Sequence, residues 1–261
     1  MEKSSVFGLI IGCLTISVGI VLKGASLSAL INPAALLIIF GGTVACLLNG
    51  FPLNNIKMFP VLCKRLFTEQ NLASKTDLLP LFVELSQTAR REGILALESR
   101  VDDIKDPFLR TGLSMVIDGL DPEFVGDVLD ADIQAMEERH RVGALIFSQA
   151  GMYAPTLGVL GAVIGLVAAL GNLDDITKLG HSIAAAFIAT LFGIFTGYVI
   201  WHPFANKLKV MSKREVEVKK MMVEGILSLQ AGDSPTAIEA KLVVFIPQQE
   251  RLALKSKAEG K

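Results

Sequence analysis

No Asp, Glu, Lys or Arg occurs between Arg141 and Asp174, and none between Lys178 and Lys207. Two further charge-free runs lie nearer the start, from Ser4 to Leu22 and from Gly24 to Ile56. About 20 apolar residues cross a bilayer as a helix. The runs therefore predict four membrane helices, an early pair and a late pair. The charge is confined to a polar block between the pairs and to a tail after them. The mean hydropathy of +0.52 and the 51% hydrophobic content agree with that division. The fold expected is an all-α membrane protein. It has four transmembrane helices in two pairs, a helical cytoplasmic domain between them and a helical cytoplasmic tail.

Lys and Arg concentrate in the cytoplasmic loops of membrane proteins. Of the 25 Lys and Arg residues, only Lys23 and Lys178 fall in the tight connections 23–32 and 171–180. Both termini and the polar block are therefore expected in the cytoplasm, with the short connections outside. The chain divides into four segments: membrane helices 1 and 2 at 1–54, a helical cytoplasmic domain at 55–140, membrane helices 3 and 4 at 141–206, and a helical extension and tail at 207–261. A cleaved leader is not expected, because Lys3 is offset by Glu2 and no small-x-small site follows Leu22.

Inside the block, Leu79, Phe82, Val83, Leu85 and Ala89 recur at helical spacing within 78–98. Asp106-Pro107 and Asp121-Pro122 read as helix starts. From Pro122 the stripe Phe124, Val125, Val128, Leu129, Ile133 and Met136 runs unbroken into the third membrane run, predicting one continuous helix. The fourth run likewise continues through Lys207 to Leu229, until Gly232-Asp233-Ser234-Pro235 stops it. A short helix is expected over 235–245, and frayed residues from 251 to 261.

Several function classes lose their footing here. A net charge of -1 gives no basic patch for nucleic acid. Cys13, Cys46 and Cys63 form neither a disulfide frame nor a zinc motif. His140, His181 and His202 lack metal-ligand spacing, no nucleophile or phosphate-loop motif occurs, and no cofactor is expected. The chain does not read as an enzyme. The membrane runs contain no carboxylate, and a proton path ordinarily needs an intramembrane ionisable group. Any such group must come from another chain.

What the runs do contain is a small-residue face and hydroxyls. Gly158, Gly161 and Gly165 on the third run, with Gly193 and Gly197 on the fourth, allow close helix approach. Packing within the chain and contact with neighbouring copies or an inserted helix are both open readings. Pro155 and Pro203 lie near the cytoplasmic ends of opposed helices, where each frees a carbonyl. A static kink and a hinge beside a wet vestibule both fit. Thr156, Thr190, Thr196, Tyr153 and Tyr198 supply the polar groups, although helix threonines commonly bond back to their own backbone.

These residues resemble the motility A proteins, a family of flagellar motor stator subunits, over nearly the whole chain. Four stretches carry the resemblance. They are Ala154-Pro155-Thr156-Leu157-Gly158 through Gly165; Ala189-Thr190-Leu191-Phe192-Gly193 with Tyr198 and Pro203; Ala89-Arg90-Arg91-Glu92-Gly93 through Leu97-Glu98; and Gly232 to Glu239 with Phe245-Ile246-Pro247. The resemblance implies a homo-oligomeric ring of five copies in the bacterial inner membrane, around two helices of a second stator protein, motility B. That partner supplies the membrane aspartate and a peptidoglycan anchor. Ion flow then drives torque on the rotor switch protein at the cytoplasmic ring. Arg90, Arg91 and Glu98 are implied as rotor contacts, Arg90 and Glu98 being two turns apart on one face if the helix is continuous. Pro155, Thr156, Ala162, Thr190, Tyr198 and Pro203 are implied in the ion path and its coupling. Sodium-driven members carry Thr at the position of Ala162, so protons are expected here. The alternative is a proton-channel protein that energises outer-membrane transport, but such relatives have three membrane helices and no rotor patch.

Overall fold

A computed structural model describes residues 3–24, 27–171 and 173–252. All regular structure among the described residues is helical. The main elements are α1 (Lys3–Leu22), α2 (Pro33–Gly50), α3 (Phe59–Phe67), α4 (Lys75–Glu92), α5 (Pro107–Ile117), α6 (Pro122–Leu170), α7 (Ile176–Gln230) and α8 (Pro235–Leu242). Four of them, α1, α2, α6 and α7, are long and apolar enough to cross a membrane.

The chain forms two compact units. One contains residues 1–70 and 140–210, the other 71–139 and 211–261. Each long helix, α6 and α7, contributes one stretch to each unit. Residues 55–70, which the sequence places with the polar block, pack with the apolar helices.

In the apolar unit, α1 is hydrophobic all round and only 6% of its apolar window is buried. Phe7, Ile11 and Leu14 are exposed, as expected of a helix that faces lipid or other membrane helices. At the end of the unit that holds α3, an aromatic cluster joins three elements. Phe59 stacks on Phe147 with ring centroids 5.0 Å apart, and Trp201 lies 6.1 Å from Phe147. Ser5 Oγ donates to the Leu66 carbonyl at 2.9 Å, while Lys207 Nζ donates to Ser5 Oγ at 2.6 Å. These bonds tie the start of α1 to α3 and α7. Two π-helical segments interrupt the apolar helices, at Leu37–Gly41 and Thr196–Trp201. The second lies just before Pro203, whose missing N–H already disturbs the α-helical ladder.

The polar unit has its own core of Leu78, Phe82, Leu85, Leu97, Leu109, Leu113, Val125, Leu129, Ile133, Met221, Met222 and Ile226. The helix starts expected from Asp-Pro pairs are present. Asp106 accepts from the backbone N–H of Phe108 and Leu109, and Asp121 from that of Glu123. The apolar stripe of α6 is narrower than its sequence suggests. Val125, Leu129, Ile133 and Met136 are buried, whereas Phe124 and Val128 are exposed. The end of α7 also follows the sequence, because Gly232 adopts φ +73° and releases the chain into α8, where Ser234 Oγ accepts from Ala237 N–H.

One expectation fails in this unit. The stretch 78–98 is not a single helix. Gly93 takes φ +88°, closing α4 at Glu92. A 3₁₀ turn, Ile94–Leu97, and a one-turn helix, Glu98–Val101, follow. Arg90 and Glu98 therefore stand on different elements, and the two-turn spacing does not apply. The cause is local. Glycine is the residue that enters the left-handed region at no steric cost, so the helix ends there despite a favourable pattern beyond it.

Candidate functional site

The late apolar helices meet through their smallest residues. A Cβ added at Gly193 would stand 2.7 Å from the Ala154 carbonyl oxygen and 2.8 Å from Gly158 Cα. One at Gly158 would meet the Ala189 carbonyl at 2.9 Å. Gly161 faces Ala189, and Gly165 faces Ala186. The contacts run antiparallel, from Gly151 opposite Gly197 at one end to Gly165 opposite Ala186 at the other. Backbones approach this closely only where no side chain intervenes, and the contact is then held by van der Waals packing.

Pro155 and Gly197 share one contact. Proline has no N–H for the carbonyl of Gly151, one turn earlier. That same carbonyl lies 2.8 Å from where a Gly197 Cβ would stand, with the Pro155 ring at 2.8 Å. The freed carbonyl is thus turned toward the glycine of the facing helix. Gly151 in turn packs on the His202 ring, and the Tyr198 and His202 rings lie 5.2 Å apart.

The hydroxyls behave unequally. Thr156 Oγ1 donates to the Met152 carbonyl at 2.8 Å, and Thr196 Oγ1 to Phe192 at 2.7 Å. Thr190 Oγ1 reaches the Ala186 carbonyl only at 3.4 Å, the loosest of the three. Because Gly161 faces Ala189, Ala162 and Thr190 lie at one level of the helix pair. Thr156, Tyr198 and Pro203 are exposed, while Pro155, Ala162 and Thr190 are half-buried. The glycines 158, 161, 193 and 197 are buried and Gly165 half-buried. This face presents hydroxyls and freed carbonyls, and no carboxylate.

The second cluster lies in the polar unit. Arg90 and Arg91 occupy the last turn of α4, where cations favour the helix dipole. Both are exposed, as is Glu98 after the Gly93 break. Other charges of this unit are paired: Lys75 with Glu217 at 2.9 Å, Lys219 with Asp132 at 2.9 Å, and Arg100 with Glu84. Among the described residues, Arg90, Arg91 and Glu98 have no such partner. Ser86, which sequence reasoning passed over, supports this end of α4 by donating to the Asp233 carbonyl at 3.1 Å. Its signal was a hydroxyl on the apolar stripe between Phe82 and Ala89. Asp233 is held in turn by Lys241 at 2.9 Å, and Lys241 also reaches Glu224 at 3.2 Å. The Lys241 hydrogen bond keeps the Asp233 carboxyl below its ordinary range, and Asp233 foremost raises Lys241. Among the described residues no group of side chains suits a metal ion.

Comparison with known proteins is consistent along the chain. Residues 6–93 match the motility protein A N-terminal model, and residues 100–221 match the MotA/TolQ/ExbB proton channel family. The first match takes in the early helix pair, α1 and α2. Motility protein A of Bacillus subtilis is 52% identical over 260 residues, covering 100% of this chain and 96% of that protein. Chemotaxis protein PomA of Vibrio alginolyticus is 30% identical, covering 96% and 98%. The fold is similar to that in the flagellar MotAB stator complex from Bacillus subtilis, with a TM-score of 0.92 at 53% identity over 97% of this chain and 99% of that one. It is also similar to that in the MotAB structure from C. jejuni, with a TM-score of 0.90 at 29% identity over 95% and 97%. By sequence and by fold, along essentially its full length, the chain belongs to the motility protein A family.

Proposed function

We propose that this chain is the stator component of a bacterial flagellar motor that, with a motility B protein, conducts ions and converts their flow into torque. The carrying observation is the late helix pair: hydroxyls, prolines and close-packed glycines with no acidic residue among the apolar runs. Such a pair can flank an ion path but needs a carboxylate from a second chain to take up the ion. The chain acts as one copy in a homo-oligomeric ring of five in the inner membrane, lipid on its outside and two motility B helices within. No enzymatic step is assigned to it.

On this reading, segments 1–54 and 141–206 are the membrane part, and 55–140 and 207–261 lie in the cytoplasm with both termini. Pro155 and Pro203 permit the late helices to change shape as the ion passes. Thr156, Thr190 and Tyr198 supply polar groups along the path. Ala162, which offers a methyl where sodium would need another oxygen ligand, selects protons. Arg90, Arg91 and Glu98, without an ion-pair partner among the described residues, meet the rotor switch protein. Surface charges of this kind steer an encounter while contributing little permanent stability, which suits a contact that re-forms at each step.

Co-expression with and without the motility B protein tests the reading. Ion flux and swimming are expected only with both chains present, and full flux from this chain alone overturns it. Paired reversal, Arg90→Glu with Glu98→Lys, is expected to abolish swimming at normal membrane levels.

A further inference from the structure

His202 is a titratable group to which the proposed ion path gives no task. Between Arg141 and Asp174, and between Lys178 and Lys207, the only imidazoles are those of His181 and His202, both on α7. At ~1.5 Å per residue they stand about 30 Å apart along the helix, one near each edge of a hydrocarbon layer. His202, beside Pro203, is at the end proposed to face the cytoplasm. We infer that His202 is the exit group for the proton: it takes the proton released by the partner chain's carboxylic acid and passes it to the cytoplasm. The inference rests on the proton-conducting reading above and names the residue that completes its last step.

The π-helical turn Thr196–Trp201 sets the imidazole in place. In an α-helix, residues five apart point about 140° away from each other. Here the His202 backbone N–H donates to the Gly197 carbonyl, the five-residue bond of a π turn. That bond brings residues 197 and 202 nearly into line, and both meet Gly151 of α6. The Gly151 carbonyl lies 2.8 Å from where a Gly197 Cβ would stand, and the His202 ring lies 2.8 Å from where a Gly151 Cβ would stand. The ring thus occupies ground that any side chain at 151 would take, one turn from Pro155. It is half-buried, and neither ring nitrogen has a hydrogen-bond or ion-pair partner among the described residues. The titratable group set against it is Tyr198 on its own helix, with ring centroids 5.2 Å apart, while α6 meets it with the Gly151 backbone. Charge comes no nearer along α7 than Lys207, and no nearer along α6 than Arg141. A histidine that holds structure together spends a nitrogen on a partner; this one keeps both for a passing proton. An imidazole exchanges protons near neutral pH, which neither threonine nor tyrosine does. In the step itself, the carboxyl O–H of the partner breaks and an N–H forms on the ring, directly or through water. The imidazolium then gives an N–H proton to cytoplasmic water and returns to the neutral ring.

The test measures proton flux through the complete complex with the motility B protein, reconstituted in proteoliposomes. His202→Ala is expected to assemble and to slow flux on the order of a hundredfold. Imidazole added on the cytoplasmic side should enter the space opened beside Gly151 and restore flux saturably, without effect on the parental complex. His202→Phe, which keeps that space filled, should be as slow and beyond rescue. Parental flux in either variant overturns the inference. So does a slow His202→Ala complex that imidazole leaves slow, since the ring then serves packing alone. Should His202→Ala fail to co-purify with the motility B protein, His202→Phe decides by the same flux measurement. If the parental complex carries no protons, or this chain carries them alone, the stator reading is what falls.

Discussion

Ser86 and Asp233, 147 residues apart in sequence, are joined by a hydrogen bond from the serine hydroxyl to the aspartate carbonyl at 3.1 Å. The bond fastens the tail to α4 one turn before Arg90. The tail thereby becomes a support for a charged surface that it does not itself carry. Ser86→Ala leaves that carbonyl without its donor at a cost of about 1 kcal/mol. Faster hydrogen exchange over 233–245 is expected, with slower swimming at unaltered ion flux. Unchanged exchange in the tail would show that the bond does not secure it.

The Lys241 bracket sets a pH window. Asp233 has a folded pKa below its unfolded value, so its contribution is complete above the ordinary carboxylate range and is lost as pH falls through the lowered value. Lys241 has a raised folded pKa, so its contribution is complete below the ordinary lysine value and is lost as pH rises through the raised one. Tail protection, corrected for intrinsic exchange, should be level from about pH 5 to about pH 10 and fall outside those limits. Lys241→Met should weaken the tail within the window and flatten both flanks. A variant profile that keeps the parental flanks would assign them to other groups.

Glycine tolerance in α7 should follow facing distance. Gly193→Ala drives a methyl to 2.7 Å from the Ala154 backbone carbonyl, which cannot rotate away. A loss of about 1–3 kcal/mol is expected. Gly180, on the same helix, has no atom within 4 Å of its Cβ position, and Gly180→Ala should be neutral or stabilising by up to about 1 kcal/mol. Thermal unfolding of the solubilised stator complex orders the two. Equal midpoints would mean that the α6–α7 contact opens freely.

Pro155→Leu restores an N–H able to bond the Gly151 carbonyl that now faces Gly197. Assembly with the motility B protein should persist, measured by co-purification, while swimming stops. Swimming at the parental speed would show that the freed carbonyl has no part in coupling.

Thr190 has the loosest self-bond of the late-helix threonines, 3.4 Å to Ala186. Thr190→Val should therefore alter folding little and lower ion flux several-fold, whereas Thr156→Val removes a firm 2.8 Å bond. Flux measured in sodium-free buffer checks the ion as well: full activity is expected there, and dependence on added sodium reverses the choice of protons.

The sequence by itself determined the elements whose cause is local or compositional. Charge-free runs of bilayer length mark four spans, because hydrocarbon excludes charge and length sets the crossing. Asp106 and Asp121 before prolines mark helix starts, because a side-chain oxygen satisfies the first free N–H groups. The pattern from Pro122 onward foretold the start of the 49-residue α6, which runs on past Pro155 although that residue removes one bond of the ladder. Gly93 escaped because a glycine inside a good helical pattern is compatible with either outcome, helical or at its observed φ of +88°. Only the tertiary structure could decide which glycine faces which carbonyl, that Ser86 meets Asp233, and that Arg90 and Glu98 stand on different elements. Those relations join residues far apart in the chain, and no periodicity encodes a distance between helices.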